Sequence, residues 1–261
     1  ARGPAPIPAD RILAIARDAD GRLRVGTDGA GMGIVEETEG QYLLHLNEPG
    51  NLQSLSGNTV NTIVMDQAGF LWVGTSGGGV NREYAVELIS VDSQPAISRK
   101  DVRALYEAED GSIWVGTDSG GLDHINTDGS VTSVRAPQLT HNAILKLDPG
   151  TNSTLWVSTA GGLNRLDLET GRIWSWYGNV NDPSALFDAR VFGVSPSKEE
   201  SKVWVASWGG LHQLDLSTGR FTQFRNDASD ESSLSNNRSI SVLEDSRGRV
   251  WVGTLIGGLN R

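Results

Sequence analysis

Arginine at one recurring position carries the most evident chemistry in this chain. When the internal copies of the sequence are aligned on their first apolar run, the residue just before it is Arg11, Thr59, Asp101, His141, Arg190 and Arg238 in turn. A guanidinium presents a planar fork of donors that matches a carboxylate, a phosphate or sugar hydroxyls. Arg11, Asp101, His141, Arg190 and Arg238 are therefore candidate ligand contacts, and pairing of each Arg with an Asp or Glu of the neighbouring loops is the structural alternative. Trp208 joins them because it stands where the other copies carry a small residue, ahead of Gly209 and Gly210. An exposed indole on a rigid loop is a platform for a ring-shaped polar ligand.

Other chemistries find less support. The glycine runs in "GTDGAGMG" and "GTSGGGV" lead into another strand rather than a helix, so they do not read as phosphate-cradling loops. Asp18-Ala19-Asp20-Gly21 starts like a calcium loop but lacks the bidentate Glu at its twelfth position. His45, His124, His141 and His212 lie in different copies without metal-ligand spacing, so no metal and no cofactor is expected. No nucleophile-elbow motif is present. Every Asp that could serve in a carboxylate pair sits in a repeated turn, so no catalytic residue is assigned.

The elements that position these residues are repeats. RVGT, WVGT, WVGT, WVST, WVAS and WVGT begin at Arg24, Trp72, Trp114, Trp156, Trp204 and Trp251, at spacings of 48, 42, 42, 48 and 47 residues. A period of that size marks an array whose units bury their apolar faces on one another. Within a copy, an alternating apolar run, a turn such as Asp66 to Gly69, a second run at Leu71 to Val73, a glycine break and two further runs predict four short antiparallel strands, one propeller blade. The fold class is therefore all-β, a β-propeller of six repeats, over approximately 12–59, 60–101, 102–142, 143–190, 191–238 and a partial 239–261, with 1–11 as a lead segment. Trp72, Trp114, Trp156, Trp204 and Trp251 are expected to pack between blades, each burying about 150–250 Å². Of Trp174 and Trp176, which alternate along a fourth strand, one should pack inward and the other cover the blade edge.

Composition narrows the function. With 38% apolar and 21% charged residues the chain is globular, and its zero Cys leaves packing rather than disulfides to hold it. A net charge of −10 without a Lys/Arg cluster opposes nucleic-acid binding. No apolar run is long enough to span a membrane as a helix.

The stretches "NDASDESSLSNNRSISVLEDSRGRVWVGTLIGGLNR" and "LTHNAILKLDPGTNSTLWVSTAGGLNRLDLETGRIWSWYG" resemble the two-component regulator propeller repeat, from about Ile12 to Arg261. The resemblance implies an exported sensor propeller, on the periplasmic or extracellular side of the inner membrane. Such propellers are commonly seven-bladed or in tandem, precede a histidine kinase or diguanylate cyclase output, and are homodimeric in the full-length protein. It also implies a small-molecule ligand such as an oligosaccharide. A propeller lyase or glycoside hydrolase and a protein interaction scaffold are the alternatives. Arg24 in place of Trp, and WVAS followed by Trp208, depart from the family pattern.

In a propeller the connections from strand two to three and from blade to blade share one face. That face carries the long segments "NEPGNLQSLSGNT", "GNVNDPSALFDAR" and "NDASDESSLSNNR" and is the expected binding face. The first strands line the channel, so the six aligned residues would ring its mouth. "RVWVGTLIGGLNR" reads as the second and third strands of a sixth blade. A ring not closed by this chain, and a longer parent propeller, are expected, since Pro4, Pro6 and Pro8 make the opening segment a poor outer strand.

Overall fold

Period-two alternation broken by Asp/Gly turns dictates strands throughout, and the computed structural model contains strands and turns without any helix among its described residues, namely 9, 11–36, 41–84, 87–90 and 97–261, with only the backbone described at 36, 41–42, 84 and 87–90. The expectation about Pro4, Pro6 and Pro8 lies outside those residues. The chain divides into two compact units, Ala1–Ser133 and Val134–Arg261.

In the first unit, blade 1 is β1 (Ile12–Arg17), β2 (Leu23–Thr27), β3 (Met32–Glu36) and β4 (Gln41–His45). Blade 2 is β5 (Val60–Met65), β6 (Leu71–Thr75), β7 (Gly79–Tyr84) and β8 (Glu87–Ser90). Blade 3 is β9 (Val102–Glu107), β10 (Ile113–Thr117), β11 (Leu122–Ile125) and β12 (Val131–Val134), whose last residue crosses the boundary. In the second unit, blade 4 is β13 (Ile144–Pro149), β14 (Thr154–Thr159), β15 (Gly162–Asp167) and β16 (Ile173–Tyr177). Blade 5 is β17 (Val191–Pro196), β18 (Lys202–Ser207), β19 (Gly210–Asp215) and β20 (Arg220–Phe224), and blade 6 is β21 (Ser239–Glu244), β22 (Val250–Thr254) and β23 (Gly258–Asn260). Each blade is an antiparallel meander in sequence order.

Blades of one unit pack through their first strands. Val60 and Val102, both fully buried, press on the preceding blade at Gly26 and Gly74. A Cβ at Gly74 would lie 2.5 Å from Val102 Cγ1 and 2.6 Å from Thr62 Cγ2, which is why the third letter of WVGT is so small there. Trp72 joins the cluster of Val102, Leu105, Ile113 and Val115 in blade 3, and Trp156 that of Val191, Val194, Val203 and Val205 in blade 5. Trp176 packs on this second cluster, 5.9 Å from the Trp156 ring, whereas Trp174 lies beneath Arg172 at 4.6 Å.

The motif residues close each blade with hydrogen bonds. An acceptor on the third strand takes the backbone N–H of the segment entering the same blade: Ser56 to Asn81 at 3.1 Å, Ser98 to Asp123 at 2.7 Å and Thr140 to Asn164 at 3.0 Å. Ser235 donates to Asn260 at 2.8 Å, and in blade 5 His212 Nε2 takes Phe187 N–H at 3.2 Å. The apolar residues before four of these donors, Leu55, Ile97, Leu139 and Leu186, are buried, which explains the leucine–serine pairing in the sequence. The hydroxyl ending each second strand then bonds the carbonyl that opens the third, from Thr27 to Gly31 at 2.8 Å through Thr254 to Gly258 at 3.0 Å. At the opposite end, a carboxylate of the first hairpin receives the side chain six residues on. Asp66 accepts Trp72 Nε1 at 2.7 Å, Asp245 accepts Trp251 Nε1 at 2.9 Å, and Asp18 accepts Arg24 Nε at 2.9 Å. Arg24 thus replaces Trp without losing the bond, reaching Glu83 of blade 2 as well at 3.2 Å.

Two outcomes follow. Gly74→Ala should lower stability to urea by about 1–3 kcal/mol through overpacking, with partial recovery when Val102→Ala is added. Burial, the largest cause, holds the His212 imidazole down to about 4 from its ordinary 6.5. The unfolded chain therefore takes up the proton first, so stability present in full above pH 6.5 should fall as pH drops toward 4. His212→Asn restores the acceptor found in other blades, and pH-dependent thermal unfolding should show a shallower slope across that window than the parent protein.

Candidate functional site

The backbone identifies the equivalent residues at the leading end of each first strand. In every blade the carbonyl just before, or one residue before, the first strand accepts an N–H from the residue after the second strand. The pairs are Arg11 with Asp28, Thr59 with Ser76, Asp101 with Asp118, Ala143 with Ala160, Arg190 with Trp208, and Arg238 with Leu255. The fourth member is thus Ala143 rather than His141. His141 stands two residues earlier in the entering loop, where its Nδ1 accepts Ala143 N–H at 2.9 Å. The small differences in loop length between copies displaced the alignment.

This pairing decides what each arginine meets. In blade 1 the partner residue is acidic, and Arg11 bonds Asp28 at 2.7 Å. In blade 3 Asp118 takes Arg103 at 2.8 Å, while Asp101 itself is exposed. Blade 5 has Trp208 at that place. Arg190 lies over its ring at 3.9 Å and is clamped by Asp188 through Nε at 3.0 Å and Nη2 at 2.8 Å. That fork, the largest cause, lowers the Asp188 carboxyl below its usual range and raises Arg190. In blade 6 the partner is Leu255, and Arg238 pairs with no acid among the described residues; its guanidinium sits 5.2 Å from the same Trp208 ring.

Local backbone geometry completes the cluster. The first strand of blade 5 slips register between Val191 and Gly193, a bulge that re-aims the extra residue, Phe192. Phe192 stacks on Trp208 at 5.7 Å with an interplanar angle of 19°. Trp208 is therefore half-buried between Phe192 and Arg190 rather than freely exposed, and it offers an edge and part of a face. Arg225, which pattern reading missed, stacks over Phe187 at 3.5 Å and bonds the Gly209 carbonyl at 3.1 Å beside Trp208. Its only sequence signal is its place directly after the fourth strand. Arg190 and Arg238 thus gather around one indole, with Arg225 on the adjacent Gly209 carbonyl, in a chain of net charge −10. This arrangement can hold an oxygen-rich or anionic group against an aromatic surface. Among the described residues no three metal-ligating side chains converge.

Residues 54–77, 97–119 and 233–255 match the model of the two component regulator propeller. Comparison with curated protein sequences returns no match. Among solved structures, the chain is similar to the extracellular domain of BT4673 from B. thetaiotaomicron, described as a hybrid two component system, at 19% identity and TM-score 0.66, covering 99% of this chain and 39% of that one. It is also similar to PorZ, a surface component of the type-IX secretion system of Porphyromonas gingivalis, at 18% identity and TM-score 0.69, covering 96% and 38%. A catalytically inactive variant of virginiamycin B lyase from Staphylococcus aureus follows at 12% identity and TM-score 0.64, covering 95% and 83%. The chain spans about two-fifths of the first two structures. At these identities the likeness is one of fold, and the family match is to three segments of the chain, each similar to the two component regulator propeller.

Proposed function

We propose that the chain is an extracytoplasmic sensing module of a bacterial signal-transduction protein, which binds a small molecule such as an oligosaccharide and acts on an output domain across the inner membrane. The observation that carries this reading is the Trp208 cluster, in a chain of which residues 54–77, 97–119 and 233–255 match a regulator family. A saturated sugar ring fits against the indole edge, and Arg238, which has no carboxylate partner among the described residues, supplies forked donors to hydroxyl or carboxylate oxygens. The rigid blades fix these groups before ligand arrives, which lowers the ordering cost of binding.

The lyase-like fold raises an enzymatic alternative, but two of the histidines have structural surroundings. His212 is fully buried as a loop acceptor, and His124 stacks on Trp114 at 4.0 Å. A panel of neutral and uronic disaccharides, read by thermal unfolding and by product analysis, separates the readings. The expected result is saturable stabilisation without turnover, by about 2.7 kcal/mol at a hundredfold excess over Kd. Trp208→Ala combined with Arg190→Ala should abolish it. Product formation would overturn the sensor reading, and stabilisation that survives the double variant would overturn the site.

A further inference from the structure

The face opposite the long loops holds a cavity of about 400 Å³ between the first hairpins of blades 4 and 5, within the range of small-molecule sites of about 300–1,000 Å³. Trp156, Val203, Leu216 and Pro196 give it apolar walls, and Arg165 and Lys202 bring cations to it.

What sets this cavity apart is a missing carboxylate. In blade 2, Asp66 receives the Trp72 N–H at 2.7 Å and stands 3.8 Å from Arg82, the residue across from Trp72 on the third strand. Blade 6 keeps the same set, Asp245, Trp251 and Arg261. Where the turn lacks Asp, the cross-strand residue is uncharged: Ala108 goes with His124, whose pKa burial holds down, and Ser197 goes with Gln213. Blade 4 breaks the pattern. Gly150 stands where Asp66 would be, yet Arg165 lies across from Trp156.

The consequence is visible in the bonding. Trp156 is 2% exposed, its indole N–H has no acceptor among the described residues, and that nitrogen is not among the polar atoms sealed from solvent. Arg165 makes one long bond, Nε to Thr154 Oγ1 at 3.3 Å, and lies between the Trp156 and Trp174 rings at 5.7 and 5.6 Å. The nearby acids are otherwise engaged or lie at the exposed rim. Glu199 pairs with Lys202 at 2.6 Å, Asp167 feels the Arg165 charge but accepts the turn N–H groups of Glu169 and Thr170, and Glu200 lines the cavity at an exposed position. Asn152 on the cavity wall and Ser153 beside it hold positive φ of 55° and 51°, a local strain of the kind found at functional sites.

We propose that this cavity binds a small organic carboxylate with an apolar body, the carboxylate taking the place that Asp66 fills in blade 2. One carboxylate oxygen accepts the Trp156 N–H, Arg165 supplies the countercharge, and the apolar body lies against Val203, Leu216 and Pro196. This site is separate from the Trp208 cluster and does not depend on it.

Isothermal titration with phenylacetate and its neutral isostere phenylacetamide tests the assignment. Phenylacetate should saturate one site with a Kd of about 1 mM or tighter, and the amide should bind at least tenfold more weakly. Arg165→Gln should weaken phenylacetate at least tenfold, and Leu216→Trp, which fills the cavity from its apolar wall, should abolish binding. Trp208→Ala with Arg190→Ala should leave phenylacetate binding unchanged. No saturation by about 10 mM, equal affinity for the amide, or binding indifferent to both cavity variants would each overturn the proposal.

Discussion

The hydrogen bond from an entering segment to the third strand of its own blade is the constraint on which the rest depends. A backbone N–H in an irregular segment has no ladder partner, and leaving it buried and unpaired would cost about 1–3 kcal/mol. Asn81, Asp123, Asn164, His212 and Asn260 each remove that cost at one point. The point chosen lies just ahead of the first strand, so one side chain sets where that strand begins. From there the bulge, the valine that meets the preceding blade and the carbonyl that receives the following turn fall into place.

The same logic runs through the two ends of the blades. At the loop end, one position after the second strand decides the fate of an arginine: an acid neutralises it in blade 1, an indole covers it in blade 5, and a leucine leaves it facing the neighbouring Trp208 ring in blade 6. At the hairpin end, one position six residues before the central tryptophan decides whether its N–H and the cross-strand cation are satisfied from within. A common scaffold thus carries individual chemistry at single exchangeable positions, and the two candidate sites occupy opposite ends of it.

Much of the fold was legible because each strand announces itself by period and each turn by Asp and Gly. The WVGT recurrences located every second strand from Leu23–Thr27 to Val250–Thr254. The meaning of the motif letters was less accessible. That Thr75 caps the following Gly79 and that Asn81 reaches back to Ser56 are contacts across 4 and 25 residues, which no strand period encodes. The candidate site was legible in part: Trp208 stood out because it broke the repeat, and Arg190 and Arg238 because they recurred. His141 was misaligned since loop residues carry no periodicity to count by. Arg165 escaped notice because it matches the repeat; only the loss of a distant partner, Gly150 for Asp, makes it unusual.

The latch also bears on how such a chain can diversify. Because the entering segment is pinned at its last few residues, its length upstream of the pin can vary, even where it also touches its own blade, as Ser184 does in accepting the Phe221 N–H at 2.9 Å. Spacings of 42 to 48 residues between successive copies coexist with one strand register. Changes of length in these segments therefore leave the strand register intact, and a lineage can sample new recognition surfaces while its scaffold stays under constant selection.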